Sequence, residues 1–177
     1  MNEYIKSDLM RYYGKTGLRY LLKGLLSNRS FRLQCIIRLC NCDKRIVRIF
    51  GGFLYRFNIT KRTIQIPKNT KIGYGLYIGH HGPVIVNPTA IIGDNCNLSQ
   101  FTTIGSNKGK AATIGNNVYV GPNVCIVEDV VIGDNVTIGA GSVVTKNIPD
   151  NATAVGNYAR VINYNNPGRF IKNKYIR

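Results

Sequence analysis

Aliphatic side chains return at every sixth position from Ile66 to Val144. The first run is Ile66, Ile72 and Ile78, and the second is Val86, Ile92, Leu98 and Ile104. The third is entered through Ile114 and continues as Val120, Ile126, Ile132, Ile138 and Val144. An α-helix repeats at about 3.6 residues and a strand at about 2, so neither sustains this period. A stacked β-coil does. Each hexad makes one flat side, three sides close a triangular turn, and one aliphatic chain per side points into a shared core. The next position is mostly glycine (Gly73, Gly79, Gly93, Gly105, Gly115, Gly121, Gly133, Gly139). Glycine suits a corner that needs positive φ or a close approach to the next coil. Two positions before the aliphatic, compact residues such as Ala90, Cys96, Thr102, Ala112, Val118 and Ser142 fill the tapering corners. A sandwich of short strands gives no reason for such spacing. The pattern predicts a mainly β chain, a left-handed parallel β-helix over residues 63–162.

The period breaks twice. Ile78 to Val86 is eight residues, an insertion within Gly79-His80-His81-Gly82-Pro83. Ile104 to Ile114 is ten, an insertion within Ser106-Asn107-Lys108-Gly109-Lys110. A solenoid accepts insertions at corners, where they project and commonly build the binding surface. Upstream, residues 1–62 carry helical spacing, with punctuation at Gly14 and Gly24 and caps expected at Ser30 and Asp43. The expected role of this segment is a cap over the open end of the β-helix. Downstream, residues 163–177 form a basic, Asn-rich stretch expected to be a flexible tail.

Charge changes this picture. Residues 1–62 hold 14 Lys and Arg against three acids, whereas 63–168 hold six against five. The net charge of +16 therefore belongs to the ends and not to the repeat. Phe50, Phe53, Leu54 and Phe57 recur among Arg45, Arg48 and Arg56, an amphipathic basic pattern that points to peripheral contact with an anionic membrane. A nucleic-acid-binding module is an alternative use of the basic ends, but no RNA-binding or helix-turn-helix pattern accompanies them, so no nucleic-acid partner is expected. Glu3, Lys6 and Asp8 interrupt any apolar leader, and no stretch approaches the roughly 20 apolar residues of a spanning helix. The expected location is cytoplasmic, with peripheral seating on the inner face of the membrane. The five cysteines suit a reduced interior, and Cys35, Cys40 and Cys42 lack a fourth ligand for zinc.

The only two histidines, His80 and His81, lie in the first break. An imidazole titrates near neutrality and can take a proton from an attacking alcohol. A catalytic zinc site wants three protein ligands, and no third histidine exists, so no metal is expected. The stretches from Ile78 to Val86, from Leu98 to Gly105 and from Val136 to Val144 resemble the hexapeptide-repeat acyltransferases. Within them, the likeness is to the branch around serine acetyltransferase, which also holds O-acetyltransferases of capsule, O-antigen and colanic-acid synthesis.

The resemblance implies acetyl-CoA as co-substrate and a homotrimer with active sites between subunits. It places the general base on His80. It places coenzyme A contacts on Gly105, Ser106, Pro122 and Ala140, with Lys146 and Arg160 as partners for phosphates. Two positions depart from serine acetyltransferases: their base-orienting Asp is Gln65 here, and a second His after the loop is Ala111. A Gln oxygen can accept the imidazole N–H but cannot stabilise the imidazolium as a carboxylate would. Both departures favour a carbohydrate acceptor, with O-acetylation of a sugar hydroxyl in surface polysaccharide synthesis as the expected activity. Serine O-acetyltransferase and N-acetyltransferase of an amino sugar are the alternatives.

Overall fold

Three parallel sheets form the sides of a triangular prism in the computed structural model, which describes residues 1–59 and 63–177. Side A stacks β1 (Ile64–Gln65), β4 (Val84–Val86), β7 (Thr102–Gly105), β10 (Cys125–Val127) and β13 (Val143–Val144). Side B stacks β2 (Lys71–Ile72), β5 (Ile91–Ile92), β8 (Thr113–Ile114) and β11 (Val131–Ile132). Side C stacks β3 (Tyr77–Ile78), β6 (Asn97–Leu98), β9 (Tyr119–Val120), β12 (Thr137–Ile138) and β14 (Thr153–Val155), closed by antiparallel β15 (Arg160–Asn163). The chain winds through the sides in about five left-handed coils, and Ile148 bridges to Ile132 where side B ends.

The hexad aliphatics pair in register from coil to coil. Val86, Ile104, Ile126 and Val144 run up side A; Ile72, Ile92, Ile114 and Ile132 up side B; Ile78, Leu98, Val120 and Ile138 up side C. All but the half-buried Ile72 are buried, as are the compact residues Ala90, Cys96, Thr102, Ala112, Val118 and Ser142 at the corners. Full burial of one such aliphatic is worth about 1.5–3 kcal/mol.

None of the eight glycines that follow the aliphatics has positive φ, and all but Gly105 sit where a Cβ would meet a neighbour at 3.0 Å or less. A Cβ on Gly93 would lie 2.5 Å from the carbonyl oxygen of Gly115. The left-handed conformation falls two residues later instead, on Asn95, Asn117 and Asn135, an asparagine role that glycine spacing alone does not reveal. Asn117 Nδ2 donates to Asn135 Oδ1 and Asn135 Nδ2 to Asn151 Oδ1, each at 3.1 Å. Alongside, Asp94, Asn116, Asp134 and Asp150 each accept a backbone N–H from the coil before, at 2.6–2.8 Å. The corner between sides B and C is therefore a ladder of side-chain bonds.

Four helices precede the coil: α1 (Glu3–Tyr13), α2 (Leu18–Ser27), α3 (Arg29–Cys40) and α4 (Arg45–Ile59). Gly14 ends α1 in the left-handed conformation. Gly24 does not punctuate; it lies inside α2, where a Cβ would come 2.6 Å from the Phe31 ring. Asn28, not Ser30, caps α3, accepting the Phe31 N–H at 2.9 Å. Leu33 and Ile37 of α3 join the coil core, and Gln34 donates to Leu76 O at 3.1 Å, so α3 lies against the first coil. Buried Arg38 donates to Ile72 O and Gly73 O and pairs with both oxygens of Asp8 at 2.9 Å. Asp8 also accepts the Leu76 N–H at 2.9 Å; burial pushes its carboxyl up, against the pull of Arg38. The expected boundary at residue 62 touches residues 60–62, which lie outside the described residues.

Within residues 163–177, expected to be a flexible tail, the stretch 168–177 is instead seated down the outside of the coils. Gly168 N–H donates to Asn135 O, and Phe170 packs on Tyr119 and accepts from Asn97 Nδ2. Lys172 O accepts from Arg11 Nε, Tyr175 exchanges two bonds with Asn95, and Arg177 lies 3.9 Å over the Tyr74 ring. Tyr175 also donates to Glu3. Arg11, buried, completes its bonds at Gly75 O (2.7 Å) and Asn97 Oδ1 (2.6 Å). Corner side chains supply the partners that hold the strap, which is why composition alone suggested mobility.

Candidate active site

His80, Gln100, Pro122 and Ala140 each stand two residues beyond a side C core residue, Ile78, Leu98, Val120 and Ile138. Because those four are in register, the followers form one column at the corner between sides C and A. Backbone bonds hold it: Asn123 N–H donates to Gln100 O at 3.1 Å and Gly141 N–H to Pro122 O at 2.8 Å. The inserted residues 79–83 project here. His80 is exposed and, among the described residues, makes no hydrogen bond. His81 Nδ1 lies 3.1 Å from Oγ of Ser30, itself fully buried in the first turn of α3. The second histidine thus ties the loop to the helical cap. Gly82 packs on Gln100, where a Cβ would come 2.5 Å from Gln100 Cβ, and Gln100 Oε1 is buried with no partner.

Ser106, Glu128 and Lys146 occupy the equivalent column at the corner between sides A and B, two residues beyond Ile104, Ile126 and Val144. Glu128, at φ +64°, folds its carboxylate under the second insertion. It accepts from Ser106 Oγ at 2.9 Å and from the N–H groups of Asn107 (3.2 Å) and Lys108 (3.3 Å). The Ser106 hydroxyl, and after it the Asn107 N–H, hold this carboxyl below the usual range. The Ser106 hydroxyl is therefore engaged within the chain. Gly105 is open, since a Cβ there would meet only Thr103 Cγ2 at 3.8 Å, and Lys146 is exposed.

The two columns are opposite edges of side A. From Thr102, in register with Val84, to Ser106 is four residues of extended chain, about 13 Å at 3.3 Å each. His80 lies beyond the near edge, so within one chain it is far outside the roughly 3 Å reach of hydrogen bonding to Gly105 or Ser106. One edge gathers His80, Pro122 and Ala140, with exposed Arg160 beside Val155 on the last coil. The other gathers Gly105, Ser106 and Lys146. Gln65 sits on β1 between them, exposed, opposite Ile85, and among the described residues is not bonded to His80. No site role was expected from the sequence for Ser30, Gln100 or Glu128. Gln100 and Glu128 were within reach, because counting two past Leu98 and Ile126 lands on them; Ser30 has no local signal. Among the described residues no group of three His, Cys, Asp or Glu side chains gathers to hold a metal.

The comparisons point to the same stacked-hexad architecture. Residues 111–146 match the family model "Bacterial transferase hexapeptide (six repeats)". The chain is 46% identical over 101 residues to the putative colanic acid biosynthesis acetyltransferase WcaB of Escherichia coli K12, covering 55% of this chain and 62% of that protein. It is 38% identical over 103 residues to serine acetyltransferase of Synechococcus elongatus, covering 56% of this chain and 42% of that protein. Soybean serine acetyltransferase complexed with serine has the same fold, with a TM-score of 0.74 and 28% identity over 90% of this chain and 68% of that one. The matched repeat, the relatives and the fold fit the serine acetyltransferase-like branch of the hexapeptide-repeat acyltransferases. The chain spans about half the length of the curated relatives it matches, 42% and 62% in the two cases.

Proposed function

We propose that this protein is an acetyl-CoA-dependent O-acetyltransferase of the cytoplasm that acts on a sugar hydroxyl in surface polysaccharide synthesis. Each active site is shared by two copies in a homotrimer. The observation that carries this reading is the separation of the two half-sites on opposite edges of side A. One copy supplies His80, and its neighbour supplies the Gly105 corner.

In the reaction, neutral His80 takes the hydroxyl proton as the oxygen attacks the thioester carbonyl carbon. The C–O bond forms, the C–S bond breaks, and the departing thiolate receives the proton from the imidazolium. A backbone N–H near Gly105 or Ser106 of the neighbouring copy meets the charge that develops on the carbonyl oxygen. The pantetheine arm follows the column past Pro122 and Ala140, and Lys146 and Arg160 meet the phosphates. His81, bonded to Ser30, holds the loop rather than the substrate. Gln100 Oε1, buried without a partner, is suited to accept from a bound donor at the foot of that loop. Gln65 is the candidate to take the His80 ring N–H once an acceptor orders the imidazole.

Similarity to the putative colanic acid protein supports a sugar acceptor, as do Gln65 and Ala111 in place of the Asp and His. Ala111 is buried and its N–H donates to Thr89 Oγ1 at 2.9 Å, so this position offers nothing to an amino-acid acceptor. The serine acetyltransferase relatives favour the second reading, serine O-acetylation, equally. Thiol release from acetyl-CoA, measured with serine, glucosamine and a series of nucleotide sugars, separates them. An ester product on a sugar, cleaved by hydroxylamine, is expected. His80→Ala should lower turnover by about 10²–10⁴ while His81→Ala costs much less. Turnover with serine alone assigns the second reading, and a hydroxylamine-stable product assigns N-acetylation. Undiminished turnover in His80→Ala would remove the general base from the proposal.

A further inference from the structure

We infer that α4, with α2 beside α3, is a docking face for an anionic lipid bilayer. The inference is independent of the transfer reaction. On α4, Ile46, Ile49, Phe50, Phe53 and Phe57 recur at the three- and four-residue spacing of one helix face, and all are 57–84% exposed. The opposite face is committed to the protein. A Cβ on Gly51 would lie 2.7 Å from the Cys40 backbone nitrogen, and Tyr55 donates to Ile66 O at 2.9 Å. The rotation of α4 is thus set by its packing, and the apolar stripe is not used to close the end of the β-helix. On α2, Leu21 and Leu25 pack toward Phe31, leaving Leu18, Leu22 and Leu26 exposed as a second stripe.

Charge selects the occupant. From residue 14 to residue 57 the exposed ionised side chains are Lys15, Arg19, Lys23, Arg29, Lys44, Arg45, Arg48 and Arg56, against Asp43 alone. Arg45 and Arg56 border the α4 stripe, where their long stems can lie along an apolar surface with the guanidinium at the headgroups. A second copy of this face would set cations against cations. A polyanion in water would meet the cations but leave the apolar stripe exposed. A bilayer with anionic headgroups takes both, the apolar side chains entering the acyl boundary and the cations the phosphates. At 15 residues α4 is shorter than the roughly 20 needed to span, and among the described residues no helix is long and apolar enough to cross a membrane. The helix therefore lies in the interface plane.

Flotation of the full chain with phosphatidylcholine vesicles, with and without about one-third phosphatidylglycerol, tests this at low and high salt. Binding is expected only to the anionic vesicles, and to fall at high salt. Each cation contributes about fivefold in partition, so Arg45→Gln with Arg56→Gln should weaken binding about 25-fold. Phe50→Ser with Phe53→Ser should weaken it by about tenfold or more. These side chains are exposed, so unchanged circular dichroism and melting are expected in both variants. Three results would overturn the inference. The first is an intact chain that stays unbound from anionic vesicles at low salt. The second is a phenylalanine variant that floats as well as the unmutated protein. The third is a requirement for those two phenylalanines in a larger assembly that binds no vesicle.

Discussion

If each active site joins two copies, two inactive variants should restore one another. His80→Ala removes the base from one edge of side A without touching the other. Gly105→Trp blocks the opposite edge, where a Cβ meets nothing closer than Thr103 Cγ2 at 3.8 Å, so the bulky side chain can project outward without displacing backbone. Each variant alone should fall to background. Coexpressed in equal amounts, they assemble at random, and a site works only where a Gly105→Trp copy gives His80 and a His80→Ala copy gives the open corner. Each condition is met in half of the pairings, so about one quarter of the parent turnover should return in a closed ring of three. The assay is thiol release from acetyl-CoA on doubly tagged, doubly purified trimers. Activity no greater than that of the single variants would refute the shared site. It would mean that the roughly 13 Å across side A is crossed within one chain.

Three further outcomes follow from packing and charge. Gly93→Ala drives a Cβ to 2.5 Å from Gly115 O, rigid backbone that cannot swing away, and should cost about 1–3 kcal/mol in urea unfolding; Gly105→Ala, with room, should cost little, and equal effects would deny the close-approach role. Asp8→Ala leaves the Arg38 guanidinium buried without its carboxylate and should cost about 3–5 kcal/mol, whereas adding Arg38→Met should recover much of the loss in the same assay. Glu128 has a depressed folded pKa, so its hold on the second insertion is present above the ordinary value of 4.5 and lost as pH falls through the lower folded value. Hydrogen exchange at the Asn107 and Lys108 amides should therefore speed up, beyond its intrinsic pH dependence, on acidification below that range, and Glu128→Gln should remove that transition.

The prism was legible because burial acts on single positions: each aliphatic from Ile66 to Val144 faces the core by itself, and counting by six assigns it a side. The insertions were legible for the same reason, since the count fails where they occur. Carried through them, the same arithmetic puts His80 and Ser106 at different corners, a consequence available before any coordinates. Gly93 and Gly115 were ambiguous, because positive φ and close approach ask for the same residue. The structure separates them by giving positive φ to the asparagines two positions on. What local pattern could not supply was any bond between distant segments. Ser30 meets His81 across 51 residues, and Arg11 meets Lys172 across 161. Such contacts depend on where the elements settle, and nothing in the neighbouring sequence marks them.

Solenoids readily gain or lose a repeat, because each coil meets only its neighbours. Here the strap from Gly168 to Arg177 runs from Asn135 on the fourth coil down to Tyr74 on the first, and Arg11 spans the gap between α1 and Lys172. One extra coil would raise its upper anchor by about 4.8 Å, more than the length of a hydrogen bond, while its lower anchors stayed fixed. The C-terminal segment is in effect a ruler, and the number of coils is measured against it.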